Sequence, residues 1–286
     1  TSFGSMSDWN GIEDWNNTEI IDAEGGMVFP SYCDSHTHLV FAASREGEFV
    51  DRINGLSYEE IANRGGGILN SAEKLQNATE DELYESAFSR LNNLIQMGTG
   101  AIEIKSGYGL TLDAELKILR VIKRLKNNTE VSIKATFLGA HALPKEYKDN
   151  KEGYMNLVID EMLPQVAEEK LADYVDIFCE KGYFTVEDTI RLLEAASKLG
   201  IQAKTHVNQF NSIGGVEASV KLGALSVDHL EEMEEQDFEA LKNSFLNLVI
   251  VPFLRTLNLS IPKFIAVSIK KLSSILLSIT IHFLSI

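Results

Sequence analysis

The sequence predicts an α/β protein built as a (β/α)₈ barrel of the TIM type, and three observations predict it. Short apolar runs alternate with helical patterns along the middle of the chain, which is the signature of a parallel sheet. Several of those runs are nearly continuous hydrophobics, as strands covered on both faces require. Histidines recur at the C-terminal ends of the runs, the rim where barrel enzymes place their sites. At 286 residues the chain suits one barrel, or a barrel plus a minor domain.

Taken in order, the strand candidates are Met27–Phe29 leading into Ser31–His38, then Gly100–Lys105, Val131–Leu138 and Tyr174–Glu180. Ile201–Asn208, Leu225–His229 and Leu248–Pro252 follow. Amphipathic helices separate them. Glu82–Met97 puts Leu83, Ala87, Leu91 and Leu94 on one face and stops at Gly98. Asp113–Leu125 carries Leu116, Leu119 and Ile122 at three-residue spacing. Thr185–Leu199 opens with Thr185 and Asp188 at capping-box spacing, turns Ile190, Leu193 and Ala196 inward, and closes at Gly200. The first connection, Phe41 to Glu80, is long and contains Arg64-Gly65-Gly66-Gly67, so it is expected to be a loop folded over the site.

Composition narrows the function classes. Apolar residues make up 44% of the chain, enough for a sizeable core, and the formal net charge is −16. Phosphate recognition wants clustered Lys and Arg, so nucleic acid and anionic membrane surfaces are not expected partners, while the total charge says little about a small-molecule substrate, which meets a local field. Cys33 and Cys179 are too few and too far apart for a disulfide framework or a zinc finger, and both are expected to be small buried residues in a reducing compartment. Residues 1–17 are polar with no signal-peptide core, so a cytoplasmic location is expected.

Composition also divides the chain. All 42 acidic residues occur by Glu239, and no glycine follows Gly223. We therefore expect a barrel over 31–244 and, over 245–286, an atypical segment not native to the fold, as after a reading-frame change, with a strand-and-helix tail as the bland alternative.

The strongest chemical signal is His36-Thr37-His38 at the end of the first strand. Residues i and i+2 of a strand point to one side, so both imidazoles can reach one metal ion. A pair of surface histidines is the bland alternative. His141, His206 and His229 also fall at or just past strand ends, which scattered surface histidines would not do. Three neutral imidazoles with an open position suit zinc or iron, and such an ion lowers the pKa of bound water.

The pattern of H-x-H after strand one, with a histidine after strand five and another after strand six, resembles the amidohydrolase superfamily. The surrounding text is similar to the imidazolonepropionase family: Asp34-Ser35-His36-Thr37-His38-Leu39-Val40-Phe41, Arg64-Gly65-Gly66-Gly67-Ile68, Glu103-Ile104-Lys105-Ser106-Gly107-Tyr108-Gly109-Leu110, Thr136-Phe137-Leu138-Gly139-Ala140-His141 and His206-Val207-Asn208-Gln209-Phe210. These segments span roughly Gly26 to Glu239.

The resemblance implies hydrolysis of the cyclic amide of 4-imidazolone-5-propanoate to N-formimidoyl-L-glutamate in histidine catabolism, on one divalent or trivalent metal ion, zinc or iron. By position, His36, His38 and His206 resemble metal ligands. His229 resembles the histidine that orients or deprotonates the attacking water. Arg45 resembles a clamp on the substrate's propionate, Tyr108 a substrate-contacting tyrosine, and His141 a residue that polarises the ring carbonyl. Read bare, these three are a solvated loop arginine, a turn aromatic and a satisfied core histidine. Gln209 stands where deaminases of the superfamily resemble His-x-x-Glu; a neutral amide cannot shuttle a titrating proton, which favours ring opening. Tyr174–Glu180 contains no lysine to bridge two metals, so a single ion is expected. The family also implies that the barrel over 31–244 is metal-dependent, that residues 1–30 are a remnant of a small β-sandwich domain otherwise reduced or missing here, a homodimer, and an Asp after strand eight, whereas no acidic residue follows Glu239. Two alternatives stay open: another mononuclear amidohydrolase, such as a ring deaminase, and a catalytically silent fragment.

Overall fold

The computed structural model describes residues 19, 21–56, 60, 68–242, 244, 247–250 and 278–279. The Arg64-Gly65-Gly66-Gly67 stretch, His282 and nearly all of segment 245–286 lie outside the described residues. The chain divides into two units, Thr1–Ser31 and Tyr32–Ile286. In the first, the described residues form neither helix nor strand. The expected lead-in Met27–Phe29 is therefore not part of the first strand, which begins at Tyr32. Pro30 supplies no N–H for a ladder there.

In the second unit the strands are β1 (Tyr32–Thr37), β2 (Thr99–Lys105), β3 (Ser132–Ala140), β4 (Tyr174–Cys179), β5 (Gln202–Val207), β6 (Ser226–His229), β7 (Asn247–Ile250) and β8 (Ser278–Ile279). They pair in chain order, each parallel to the next. Among the described residues no pairing joins β8 to β1.

The helices are α1 (Glu46–Ile53), α2 (Ile68–Asn77), α3 (Glu80–Gln96) and α4 (Leu112–Asn127). After β3 come α5 (Lys151–Asn156), a π-helical stretch (Leu157–Met162) and α6 (Leu163–Glu168) in direct succession. Then follow α7 (Val186–Lys198), α8 (Gly215–Lys221) and α9 (Glu235–Lys242). Helix α3 begins two residues before the expected start because Thr79 forms the capping box with Glu82. Thr185 and Asp188 form the capping box foreseen for α7. The connection after β1 is not the loop that was expected: α1 and α2 fold within it, and α2 buries Ala72 and Leu75 on one face. No helix of the described residues is long and apolar enough to cross a membrane.

Alternation along the strands decides what meets in the barrel. Ile102 and Ile104 of β2, Val175, Ile177 and Cys179 of β4, and Ala203 and Val207 of β5 join the core between sheet and helices. Their neighbours Glu103, Lys105, Asp176, Lys204 and His206 point the other way and are also buried. The barrel interior is thus polar and charged where its outer jacket is apolar. Cys179 is buried as expected, but Cys33 is exposed, a correction to the expectation that both are buried: it lies in the exposed start of β1.

Candidate metal centre

The site is assembled at the C-terminal ends of β1, β3, β5 and β6. His36 and His206 rings lie 4.6 Å apart between centroids, His36 and His38 5.6 Å, and His38 and His206 5.8 Å. One nitrogen from each of these three imidazoles lies within 4.8 Å of the others. His141 stacks on His38 at 5.1 Å, and His229 stands 5.2 Å from His36 and 5.1 Å from His206. Tyr108 meets both His38 and His141 edge-on at 5.2 Å. Phe178 packs beside His141, His206 and His229. Five histidines that are up to 193 positions apart in sequence therefore share one cluster at the strand ends, flanked by Tyr108 and Phe178.

His229 reaches it by an unusual backbone. Asp228 already points into the barrel, so regular alternation would turn His229 outward. Its φ of 87° breaks that alternation and brings the ring in, and Leu230 follows at 64°. Such conformations cost a non-glycine residue on the order of 1–3 kcal/mol and persist where the surroundings impose them.

Beneath the imidazoles lies a set of buried charges. His36 Nδ1 lies 2.9 Å from Asp228 Oδ2, and His206 Nδ1 lies 2.8 Å from Asp176 Oδ2. A carboxylate can only accept, so each ring donates its Nδ1–H and leaves Nε2 bare, as metal-binding histidines need. The Lys105 ammonium, wholly buried, donates to Glu103 at 2.7 Å and Asp176 at 2.8 Å, and lies 2.9 Å from Asp228. Lys204 pairs with Glu103, which also takes the Thr136 hydroxyl. Three carboxylates against two ammoniums leave one negative charge facing the pocket.

Burial would by itself raise the pKa of Asp176 and Asp228. His206 and Lys105 outweigh it for Asp176, and Lys105, Lys204 and His36 for Asp228, so both stay ionised well below the usual carboxylate range. Burial likewise would lower Lys105, but the three carboxylates hold it well above its ordinary value. The imidazoles have less compensation: burial pushes His36, His38 and His206 down, and His141 to about 3. They are neutral at pH 7, the form that binds a cation.

These residues fit a metal ion. His38 Nδ1 and His206 Nε2 are buried with no hydrogen-bond partner. Unpaired buried polar atoms cost about 1–3 kcal/mol each unless something bonds them. Asp176, His206 and Asp228 form a second group of close ligand atoms, but the Lys105 ammonium already sits against both carboxylates.

His36, His38, His141, His206, His229 and Tyr108 are thus brought together as their positions in the sequence suggest. Arg45 stands just ahead of α1 and is held by Glu48 through its Nε at 2.7 Å. Gln209 follows β5 in a turn whose next two backbone N–H groups, from Phe210 and Asn211, donate to the buried carboxylate of Glu180. The sequence reading missed Asp176, Lys105, Lys204 and Phe178. Charged residues inside otherwise apolar strands, as in Tyr174–Cys179, are the signal that marks them.

No family model matches the chain. Among curated proteins it is 58% identical over 260 residues to a protein of Christiangramia forsetii named imidazolonepropionase, covering 91% of this chain and 62% of that one. It is 58% identical to the protein of that name from Flavobacterium johnsoniae, covering 87% of this chain and 60% of the relative. It is 44% identical to the one from Clostridium tetani, covering 87% and 59%. The chain therefore spans about three fifths of the length of the curated relatives it matches. Among solved structures it superposes on a 5-methylcytosine deaminase from Klebsiella pneumoniae with a TM-score of 0.57 at 16% identity, covering 78% of this chain and 54% of the other. A guanine deaminase from C. acetobutylicum gives 0.55 at 14% identity, covering 85% and 59%. At such identity the likeness concerns the fold alone, a TIM-like barrel.

Proposed function

Because the chain is a homologue of the imidazolonepropionases over 260 residues, we propose that it serves the hydrolytic opening of 4-imidazolone-5-propanoate to N-formimidoyl-L-glutamate. The observation that carries this reading is the convergence of five imidazoles, two of them locked as Nδ1–H donors to Asp228 and Asp176. Water adds across the ring C–N bond: its oxygen goes to the carbonyl carbon, and a proton goes to the departing nitrogen.

His36, His38 and His206 would hold one ion, zinc or iron, whose chemistry is to polarise the ring carbonyl and acidify water. His229 lies 3.1 Å from Glu231 through Nδ1, which leaves Nε2 free to take a proton from the attacking water. His141 donates Nδ1–H to the Gly107 carbonyl at 2.9 Å. Its neutral ring then offers Nε2 as an acceptor, suited to a ring N–H of the substrate. This differs from the carbonyl polarisation that the resemblance implies, which would require the imidazolium. Tyr108 walls the ring site, Gln209 offers an amide to the lactam, and Arg45 would leave Glu48 to take the propionate bidentately. A cytoplasmic location and a homodimer belong to the same reading; analytical ultracentrifugation tests the latter.

The test is turnover. Purified chain loaded with zinc or iron is offered imidazolone propanoate, cytosine, guanine and hydantoin in parallel. Ring opening of the first alone is expected. Release of ammonia from cytosine or guanine, with the imidazolone untouched, would overturn the proposal.

A further inference from the structure

The segment Ser106–Leu110, between β2 and α4, carries Tyr108 and the carbonyl that fixes His141, yet its own conformation is one that a chain resists. Gly107 has φ of 103° and Leu110 of 58°. A Cβ at Gly107 would meet the Leu138 carbonyl at 2.8 Å and His141 Nδ1 at 2.9 Å. A Cβ at Gly109 would lie 2.6 Å from the backbone of Ala114 and Glu115. Something must hold this backbone in place.

That something is one side chain. Glu115, wholly buried in the first turn of α4, accepts the N–H of Gly107 at 2.9 Å, of Gly109 at 2.7 Å and of Leu110 at 2.9 Å. Its carboxylate also takes the hydroxyl of Ser106, whose oxygen in turn receives the N–H of Leu138 on β3. The segment's carbonyls are engaged as well: Gly107 O by His141, and Gly109 O by Gln76 Nε2 of α2 at 2.8 Å. Charge-assisted bonds to three amides are roughly twice as strong as neutral ones.

We propose that Glu115 is a positioning residue for the substrate pocket. It imposes the backbone that sets Tyr108 against His38 and His141, and that turns the Gly107 carbonyl to fix the tautomer of His141. It touches neither the substrate nor a metal ligand. The proposal rests on the functional reading above for its kinetic arm, but the arrangement of the segment can be read without turnover.

The experiment compares the parent with Glu115→Gln, which has the same shape but keeps one acceptor oxygen, and with Gly107→Ala, which displaces the same carbonyl and leaves Glu115 intact. Amide exchange at Gly109 and Leu110, metal content, KM and kcat are measured on folded protein. In Glu115→Gln we expect faster exchange at both amides by tenfold or more, unchanged metal content, and KM raised about tenfold with a smaller change in kcat. Gly107→Ala should raise KM in the same way. A folded Glu115→Gln with parental exchange at these amides, or loosened amides with parental KM, overturns the proposal. If the parent itself turns nothing over, the functional reading fails, and the exchange data together with the nitrogen-15 tautomer signature of His141 in Glu115→Gln still decide: a parental signature overturns the positioning role.

Discussion

Replacing Lys105 with Met tests the buried charge set directly. The ammonium has no exposure and three carboxylate partners at 2.7, 2.8 and 2.9 Å. Methionine approximates the stem in volume and removes the charge, so the local sum goes from one net negative charge to two. Removing one partner from a buried ion cluster costs about 3–5 kcal/mol, since the remaining charges lose compensation. A barrel domain has about 5–15 kcal/mol in total, so the variant should fold but with a melting temperature lower by roughly 6–20 °C. The assay is urea and thermal unfolding of metal-free protein, with chelator present, across pH.

The pH dependence has a defined sign. Asp176 and Asp228 are depressed in the fold, so their contribution is present above the unfolded value of 3.8 and is lost as pH falls through their folded values. Lys105 is raised, so its contribution is present below 10.5 and is lost as pH rises through its folded value. The gap between parent and Lys105→Met should be widest between these limits and narrow on both sides. A gap below about 1 kcal/mol at pH 7 that is flat with pH would refute the electrostatic reasoning and leave Lys105 as packing.

Three further outcomes follow from the geometry. Asp176→Asn should weaken metal retention by about 10–100-fold in chelator competition, because His206 loses the carboxylate that fixes its tautomer; parental affinity would show that the orientation is set elsewhere. His229→Gly relieves a φ of 87° and so should cost little stability by calorimetry, while lowering kcat by about 10²–10⁴-fold if His229 moves a proton. Thr185→Ala removes the cap of α7 and should cost about 1 kcal/mol in urea unfolding with KM unchanged.

Much of this was legible in the sequence, for physical reasons that can be named. The strands announced themselves through the apolar residues of their outer face, although the inner face proved polar and charged, and α7 announced itself because Thr185 and Asp188 are local to each other. The histidine rim was legible because a strand end is a fixed place in a barrel. What escaped was whatever depends on partners distant in the chain. Lys105 and Asp176 are 71 residues apart, and Lys204 and Glu103 are 101 apart. Neither spacing signals a contact. The helices α1 and α2 escaped because a glycine-rich stretch between them suggested a loop. The inward turn of His229 could not be read at all, since nothing in Val227-Asp228-His229-Leu230 announces a left-handed residue.

The polar interior has a bearing on how the barrel comes together. Its charges are compensated down to a single net negative charge only when β2 to β6 stand in register, because Glu103, Lys105, Asp176, Lys204 and Asp228 are dealt out among β2, β4, β5 and β6. A half-built sheet would bury ammoniums and carboxylates without their opposites, and that intermediate is penalised more than an apolar one would be. A slip of one strand by one residue would carry its charge into the greasy jacket. The same side chains that hold the imidazoles thus make a misregistered sheet costly, and that cost falls on the chain whether or not a ligand is bound.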